Sequence, residues 1–188
     1  MSETAYGFDP VRFRAARVAA GVSVARIARA AGVTERAVCL YLAGSRVPRP
    51  QVLPGLAEAV GTTPAELCTV EREVLAHLRV FTGRSRAAMA AALGMGEETY
   101  RQLETTGHRG RLASSRYDDV QGRWVLWQEW AAPVFGVTGE RLLAAEQHTR
   151  EHWQAERDKR WQRMREVNPG RAAMIEERGR GLREQLGR

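Results

Sequence analysis

A chain of 188 residues that is 44% hydrophobic is long enough for one ordinary domain or for two small ones of roughly 65 to 100 residues. It has no apolar run of about 18 residues and no charged-then-apolar leader at Met1, so neither a membrane-spanning nor a secreted protein is expected, and a cytoplasmic one is. The formal net charge is +7, with basic groups outnumbering acidic ones 8 to 5 over residues 1–68 and 11 to 7 over 150–188, and balanced at 10 and 10 over 69–149. Such an excess suits a polyanionic partner without requiring one.

Of the 29 basic residues only Lys159 is lysine, a bias of the kind that a GC-rich genome produces. Cys39 and Cys68 stand on apolar helical faces with no metal-type spacing. They read as small core residues, with no disulfide, no metal and no cofactor expected.

Helical spacing recurs along the chain while alternating strand patterns are scarce, so the expected fold is all-α. Asp9 before Pro10 reads as an N-cap with proline at the first helical position, and Phe13, Ala16, Arg17 and Ala20 recur every three or four residues up to Gly21. Ser23 caps a second short helix with Ile27, Ala28 and Ala31 on one face, ending at Gly32. Thr34 caps a third, with Ala37, Val38, Tyr41 and Leu42 inward and Gly44 at its exit. Leu53, Leu56, Ala57 and Val60 mark a fourth, and Thr63, Pro64 and Glu66 form a capping box that opens a fifth, ending near Cys68.

Five short helices in this order, with the stretch GVSVARIARAAGVTERAVCLYLAG at their centre, resemble the Xre/Cro/C1-type helix-turn-helix family over roughly residues 10 to 68. The resemblance implies a lambda-repressor-like domain that binds double-stranded DNA, with the helix from Thr34 to Ala43 in the major groove. It implies a reading set of Ser23, Thr34, Glu35, Arg36 and Leu40, with Ser45, Arg46 and Arg49 in the exit loop. Arginine holds guanine O6 and N7 bidentately, glutamate accepts from cytosine N4, and loop arginines grip phosphate. Two positions depart from the family: Val24 stands where glutamine is common, and Leu42 where glutamate is common.

Gly21, Gly32 and Thr34 are echoed 62 residues later by Gly83, Gly94 and Gly96. The later stretch GRSRAAMAAALGMGEETYRQLETTG carries Ser85 as a cap, Met89 and Ala90 for Ile27 and Ala28, Met95 for Val33 and Tyr100 for Val38. It resembles a second copy, an internal duplication, with Arg86 at the family's glutamine place and Glu104 at its glutamate place. Its helix opens on Glu97 and Glu98, which argues against phosphate engagement. Arg84, Ser85, Arg86, Arg101, Gln102, Arg109 and Arg111 offer DNA contacts if the arginines cluster on one side. The copy is either a second reader or a packing and dimerisation module.

Downstream, Trp124, Trp127 and Trp130 recur every three residues and read as core of the second unit, next to Val134 and Phe135. A helix from Thr138 runs through Trp153 and Trp161 to about Val167, where Asn168–Pro169–Gly170 breaks it. Met174, Ile175, Arg178, Leu182 and Leu186 form a stripe too narrow to bury itself, suited to a helical hairpin or to a second chain. The stretch HTREH from His148 to His152 matches the pattern of inverted zinc metallopeptidases, with Glu176 or Glu177 as the third ligand. It lies on a charged helix without an apolar pocket and reads as a solvated face, so no catalytic residue is expected.

The expected organisation is a helix-turn-helix domain at 1–69, a second helix-turn-helix-like domain at 70–149 and a basic helical extension at 150–188. The expected function is that of a sequence-specific, nucleoid-associated transcriptional regulator, a repressor rather than an activator, with a homodimer through the C-terminal helices. The alternative is a protein-interaction scaffold that keeps the fold without specific DNA recognition.

Overall fold

The computed structural model describes residues 6–110 and 115–186, the side chains of 181–186 apart. The chain divides into two compact units, residues 1–149 and 150–188. The described residues are mostly helical, with one small sheet among them.

In the first unit, α1 (Pro10–Ala20) starts where Asp9 accepts from the Val11 amide at 2.8 Å, with Pro10 at the first helical position. Ser23 caps α2 (Val24–Ala30) through the Arg26 amide at 3.3 Å, and Thr34 caps α3 (Glu35–Leu42) through the Ala37 amide at 3.2 Å. Between them the chain reverses at Gly32, whose φ of 64° suits glycine, and the Val33 amide closes the turn on the Ala28 carbonyl at 2.9 Å. A 3₁₀ turn (Pro50–Val52) leads into α4 (Leu53–Ala59). Gly55 lets α4 approach α2 closely, since a Cβ there would stand 2.9 Å from the Ala31 Cα. Phe13, Ile27, Val38, Leu53 and Leu56 are fully buried and form the first apolar core.

The segment read as a fifth helix is a single turn. Its capping box is present, with the Thr63 amide donating to Glu66 at 2.8 Å and the Glu66 amide donating to the Thr63 hydroxyl at 3.4 Å. The helix does not propagate because the backbone beyond it pairs elsewhere. The Asp9 amide donates to the Leu67 carbonyl at 2.9 Å and the Thr69 amide to the Gly7 carbonyl at 2.7 Å, so residues 67–69 tie down the start of the chain.

Next come α5 (Leu75–Phe81), α6 (Arg86–Ala92) and α7 (Glu97–Thr106). The bounds of α6 are those of α2 shifted by 62 residues, and α7 starts 62 residues after α3. The local geometry is shared too: Ser85 caps the Ala88 amide at 3.1 Å, Gly94 has a φ of 66°, and the Met95 amide reaches the Ala90 carbonyl at 3.0 Å. A second apolar core gathers Leu75, Leu78, Met89, Tyr100, Leu103, Trp127, Phe135 and Leu142.

Beside this second core lies a buried ionic network. Glu104 takes the Arg79 Nε on one carboxylate oxygen and the Arg86 Nε on the other, each at 2.5 Å, and the Arg79 and Glu104 side chains are 1% and 2% exposed. The Tyr100 hydroxyl donates to the same carboxylate at 3.2 Å, and Arg79 also donates to the Arg84 carbonyl at 2.9 Å. Burial, then the Glu104 charge, hold the Tyr100 hydroxyl well above its ordinary pKa, so it remains a donor.

Residues 115–126 form an antiparallel hairpin, β1 (Ser115–Asp118) with β2 (Arg123–Leu126), pairing Tyr117 with Trp124 and Arg116 with Val125. This corrects the helical reading of the tryptophans. Asp118 accepts from the Val120 and Gln121 amides at 2.9 and 3.0 Å and closes a tight turn, and Tyr117, Trp124, Val125 and Leu126 are residues that favour strands. Trp124 is therefore outside the core at 66% exposure, edge-on to Tyr117. Trp127 opens α8 (Trp127–Phe135) fully buried, with Trp130 half-buried and T-shaped against it at 4.8 Å.

The long helix α9 (Gly139–Val167) buries Leu142, Ala145, Glu146 and Thr149 within the first unit. The Thr149 hydroxyl accepts from the Leu75 amide at 3.0 Å, satisfying a donor at the start of α5 that no side chain of its own helix caps. In the HTREH stretch, His148 uses its Nδ1 on the Glu73 carbonyl at 2.9 Å. Among the described residues no three His, Cys, Asp or Glu side chains are gathered as metal ligands.

In the second unit the rest of α9 is followed by α10 (Pro169–Leu186), capped by Asn168 on the Arg171 amide at 3.1 Å. Arg165 of α9 pairs with Glu176 of α10, and Ala172 is buried. Arg157 lies over Trp153 at 4.9 Å and Arg165 over Trp161 at 5.8 Å. Met174 and Ile175 are exposed, while the side chains of Leu182 and Leu186 lie outside the described residues. Among the described residues no helix is long and apolar enough to cross a membrane.

Removing one partner from a buried charge network strands the others without water. Glu104→Gln should therefore destabilise the fold by about 3 to 5 kcal/mol in urea denaturation. Arg101→Ala, which breaks an exposed pair with Glu98, should cost less than about 1 kcal/mol in the same assay.

Candidate nucleic-acid interface

Thr34 and Gly44 bound a helix of only eight residues, and α3 divides them sharply. Val38, Tyr41 and Leu42 are buried, Ala37 and Leu40 are half-buried, and Glu35, Arg36, Cys39 and the following Ala43 are exposed. The exposed residues fall on one face, because positions three, four and eight apart stack along a helix. Thr34, at the head of this face, spends its hydroxyl oxygen on the cap and keeps its hydroxyl proton available.

Leu40 sits at the rim of the face, and Cys39 takes the central place. The reading of Cys39 as a core residue is thus corrected: it is exposed, whereas Cys68 is buried and its thiol is pushed up to about 12 by desolvation. Helical spacing from Glu35 and Arg36 would have placed Cys39 outward. Its apolar character concealed that.

The loop after α3 is held rather than loose. The Ser45 and Arg46 amides fold back on the Leu40 carbonyl at 3.0 and 3.3 Å, and Pro48 and Pro50 are buried. The Tyr6 hydroxyl anchors the loop by donating to the Pro48 carbonyl at 2.9 Å. Between these anchors Ser45, Arg46 and Arg49 face solvent. Ser23 caps α2, on which Arg26 and Arg29 are exposed. Among the described residues, Arg26, Arg29, Arg36, Arg46 and Arg49 make no ion pair, and neither does Glu35.

The residues proposed around α6 and α7 behave differently. Arg84 donates to the Val134 carbonyl, Ser85 caps α6, and Arg86 is bound to Glu104. Arg101 makes a bidentate pair with Glu98, through Nε at 2.7 Å and Nη2 at 2.5 Å, which lowers the Glu98 pKa and raises that of Arg101. Arg109 donates to Glu146 at 2.7 Å and lies 5.9 Å from the Trp127 ring centroid. Gln102 is exposed, as are Glu97 and Glu98 at the head of α7. Arg111 lies outside the described residues. Arg84, Arg86, Arg101 and Arg109 are each engaged with a different partner within the chain.

Residues 11–68 match the family model of a helix-turn-helix domain. Neither the curated proteins nor the solved structures give a match. The matched segment runs from α1 to the turn at Cys68 and contains the exposed α3 face and its loop, so residues 11–68 are similar to a helix-turn-helix domain, which supports binding to DNA.

Proposed function

We propose that the protein is a sequence-specific transcriptional regulator that binds double-stranded DNA through residues 1–69 and acts as a repressor by occluding the site it occupies. The observation that carries this reading is the set of exposed arginines without an ion pair among the described residues, Arg26 and Arg29 on α2, Arg36 on α3, and Arg46 and Arg49 in the loop after it. A guanidinium is charged at any physiological pH and suits bidentate pairing with guanine or phosphate. In this reading Arg36 and Glu35 address base edges, with Cys39 and Leu40 beside them. Thr34, Ser23, Ser45, Arg46 and Arg49 hold the backbone and set the register.

Residues 70–149 are a second, diverged copy of the same motif, an Xre/Cro-type tandem, on the support of the shared bounds and caps of α6 and α7. The extension 150–188 joins two chains through its exposed apolar residues. The arginine-for-lysine bias supports a GC-rich bacterial, phage or plasmid source.

A second reading has a specific observation in its favour. The head of α7 is acidic and the arginines near it are committed internally, so the second copy works as a protein-interaction module.

Selection of duplexes from sheared genomic DNA at physiological salt should enrich one short motif; no enrichment would favour the interaction scaffold. Arg36→Ala should cost about 1 to 3 kcal/mol on that motif and relax the preference at one position. Arg46→Ala should weaken all sequences alike and lower the salt slope by about one. N-ethylmaleimide should modify Cys39 and spare Cys68 in the folded protein, and bound duplex should slow the reaction. Modification at an unchanged rate under saturating DNA would place the α3 face away from the groove.

A further inference from the structure

Three places 62 residues apart can be compared between the two helix pairs and the helix before each; the first carries arginine in both, and the other two differ. Where the later pair has Arg79, Arg86 and Glu104, the earlier one has Arg17, Val24 and Leu42. In the later pair the three side chains form the buried network, and Arg79 is locked at 1% exposure by Glu104 and by the Arg84 carbonyl. The earlier pair keeps the arginine and has lost the carboxylate. Leu42 is buried in the apolar core, Val24 packs against that core, and Arg17 is half-buried at the end of α1. Among the described residues Arg17 has no ion pair and no side-chain hydrogen bond.

A guanidinium cannot shed its charge. With leucine and valine at the places where the later pair has a carboxylate and a second arginine, the half-buried Arg17 has no internal anion among the described residues and remains available to an external one. The helices that border it already present Arg26, Arg29 and Arg36 unpaired. We propose that Arg17 grips a backbone phosphate of the bound duplex, freed for that contact by Leu42 and Val24. The inference rests on the DNA-binding function proposed above and adds a contact that residue types alone did not reveal. It also explains the exchange of a charged network for an apolar seam: the same arginine serves the fold in one pair and the ligand in the other.

The test is a salt titration of the full-length protein against a labelled duplex of mixed sequence, read by fluorescence anisotropy. Arg17→Ala and Arg17→Gln should each reduce the slope of log affinity against log salt by about 0.9, one phosphate contact, so that the loss between 50 and 200 mM salt is about 3-fold smaller than for the wild type. Leu42→Glu should give the same reduction with Arg17 still present, by restoring an internal partner, and Arg17→Ala should add nothing further in that background. If Leu42→Glu fails to fold, the two Arg17 variants still decide. An unchanged slope in both, while Arg46→Ala lowers it, overturns the role of Arg17. A lowered melting temperature with an unchanged slope also overturns it, and assigns Arg17 to the end of α1 instead. Absence of duplex binding by the wild type overturns the proposed function itself, so the two failures are distinguishable.

Discussion

An eight-residue helix has too few internal hydrogen bonds to persist in water by itself, so α3 exists because its inner seam is buried. Val38, Tyr41 and Leu42 supply that seam, and Phe13, Ile27, Leu53 and Leu56 receive it. The orientation of the outer face follows from the same contacts. The reversal at Gly32 sets the angle between α2 and α3, and the close approach of Gly55 to Ala31 brings α4 up behind them. Side chains on a packed helix are held more precisely than side chains on a loop. Even the loop carrying Arg46 and Arg49 is brought under this constraint by two buried prolines and the Tyr6 hydroxyl.

The helix pair of α6 and α7 is built on the same local geometry with a different interior. Its central carboxylate, Glu104, is enclosed by Arg79, Arg86 and Tyr100, so that part of its packing is ionic and directional. Such a network tolerates little change, since every member depends on the others for the charge balance that water would otherwise supply. The apolar seam of the earlier pair is more forgiving and leaves its arginines uncommitted. One scaffold is thus compatible with two uses of the same residue type, and the neutralising partner decides between them.

Around the second core the cations are likewise bound internally. Arg109 reaches Glu146 and faces Trp127, Arg116 lies 4.5 Å from the Trp130 centroid, and Arg141 pairs with Glu73 through two hydrogen bonds. Arg109 and Arg116 thus reach Trp127 and Trp130, and the ten arginines of residues 69–149 are balanced by ten acidic residues. Residues 1–68 carry 8 basic and only 5 acidic groups. Electrostatic attraction to a polyanion therefore falls on residues 1–68 and 150–188 rather than on 69–149.

By itself the sequence determined the helical class, the caps at Asp9, Ser23, Thr34 and Ser85, the glycine reversals, and the break at Asn168, because these depend on interactions spanning three or four residues. It determined the outward placing of Glu35 and Arg36 on α3 for the same reason, although the apolar character of Cys39 concealed that it shares their face. The tertiary structure alone decided which of several identical arginines remain free, since that depends on carboxylates 18 to 37 residues away, as with Arg86 and Glu104 or Arg109 and Glu146. It also decided that the capping box at Thr63 would end in a turn, because the chain start claims the next backbone groups, and that Trp124 would leave the core on a strand. Local spacing carries no information about partners that only folding brings together.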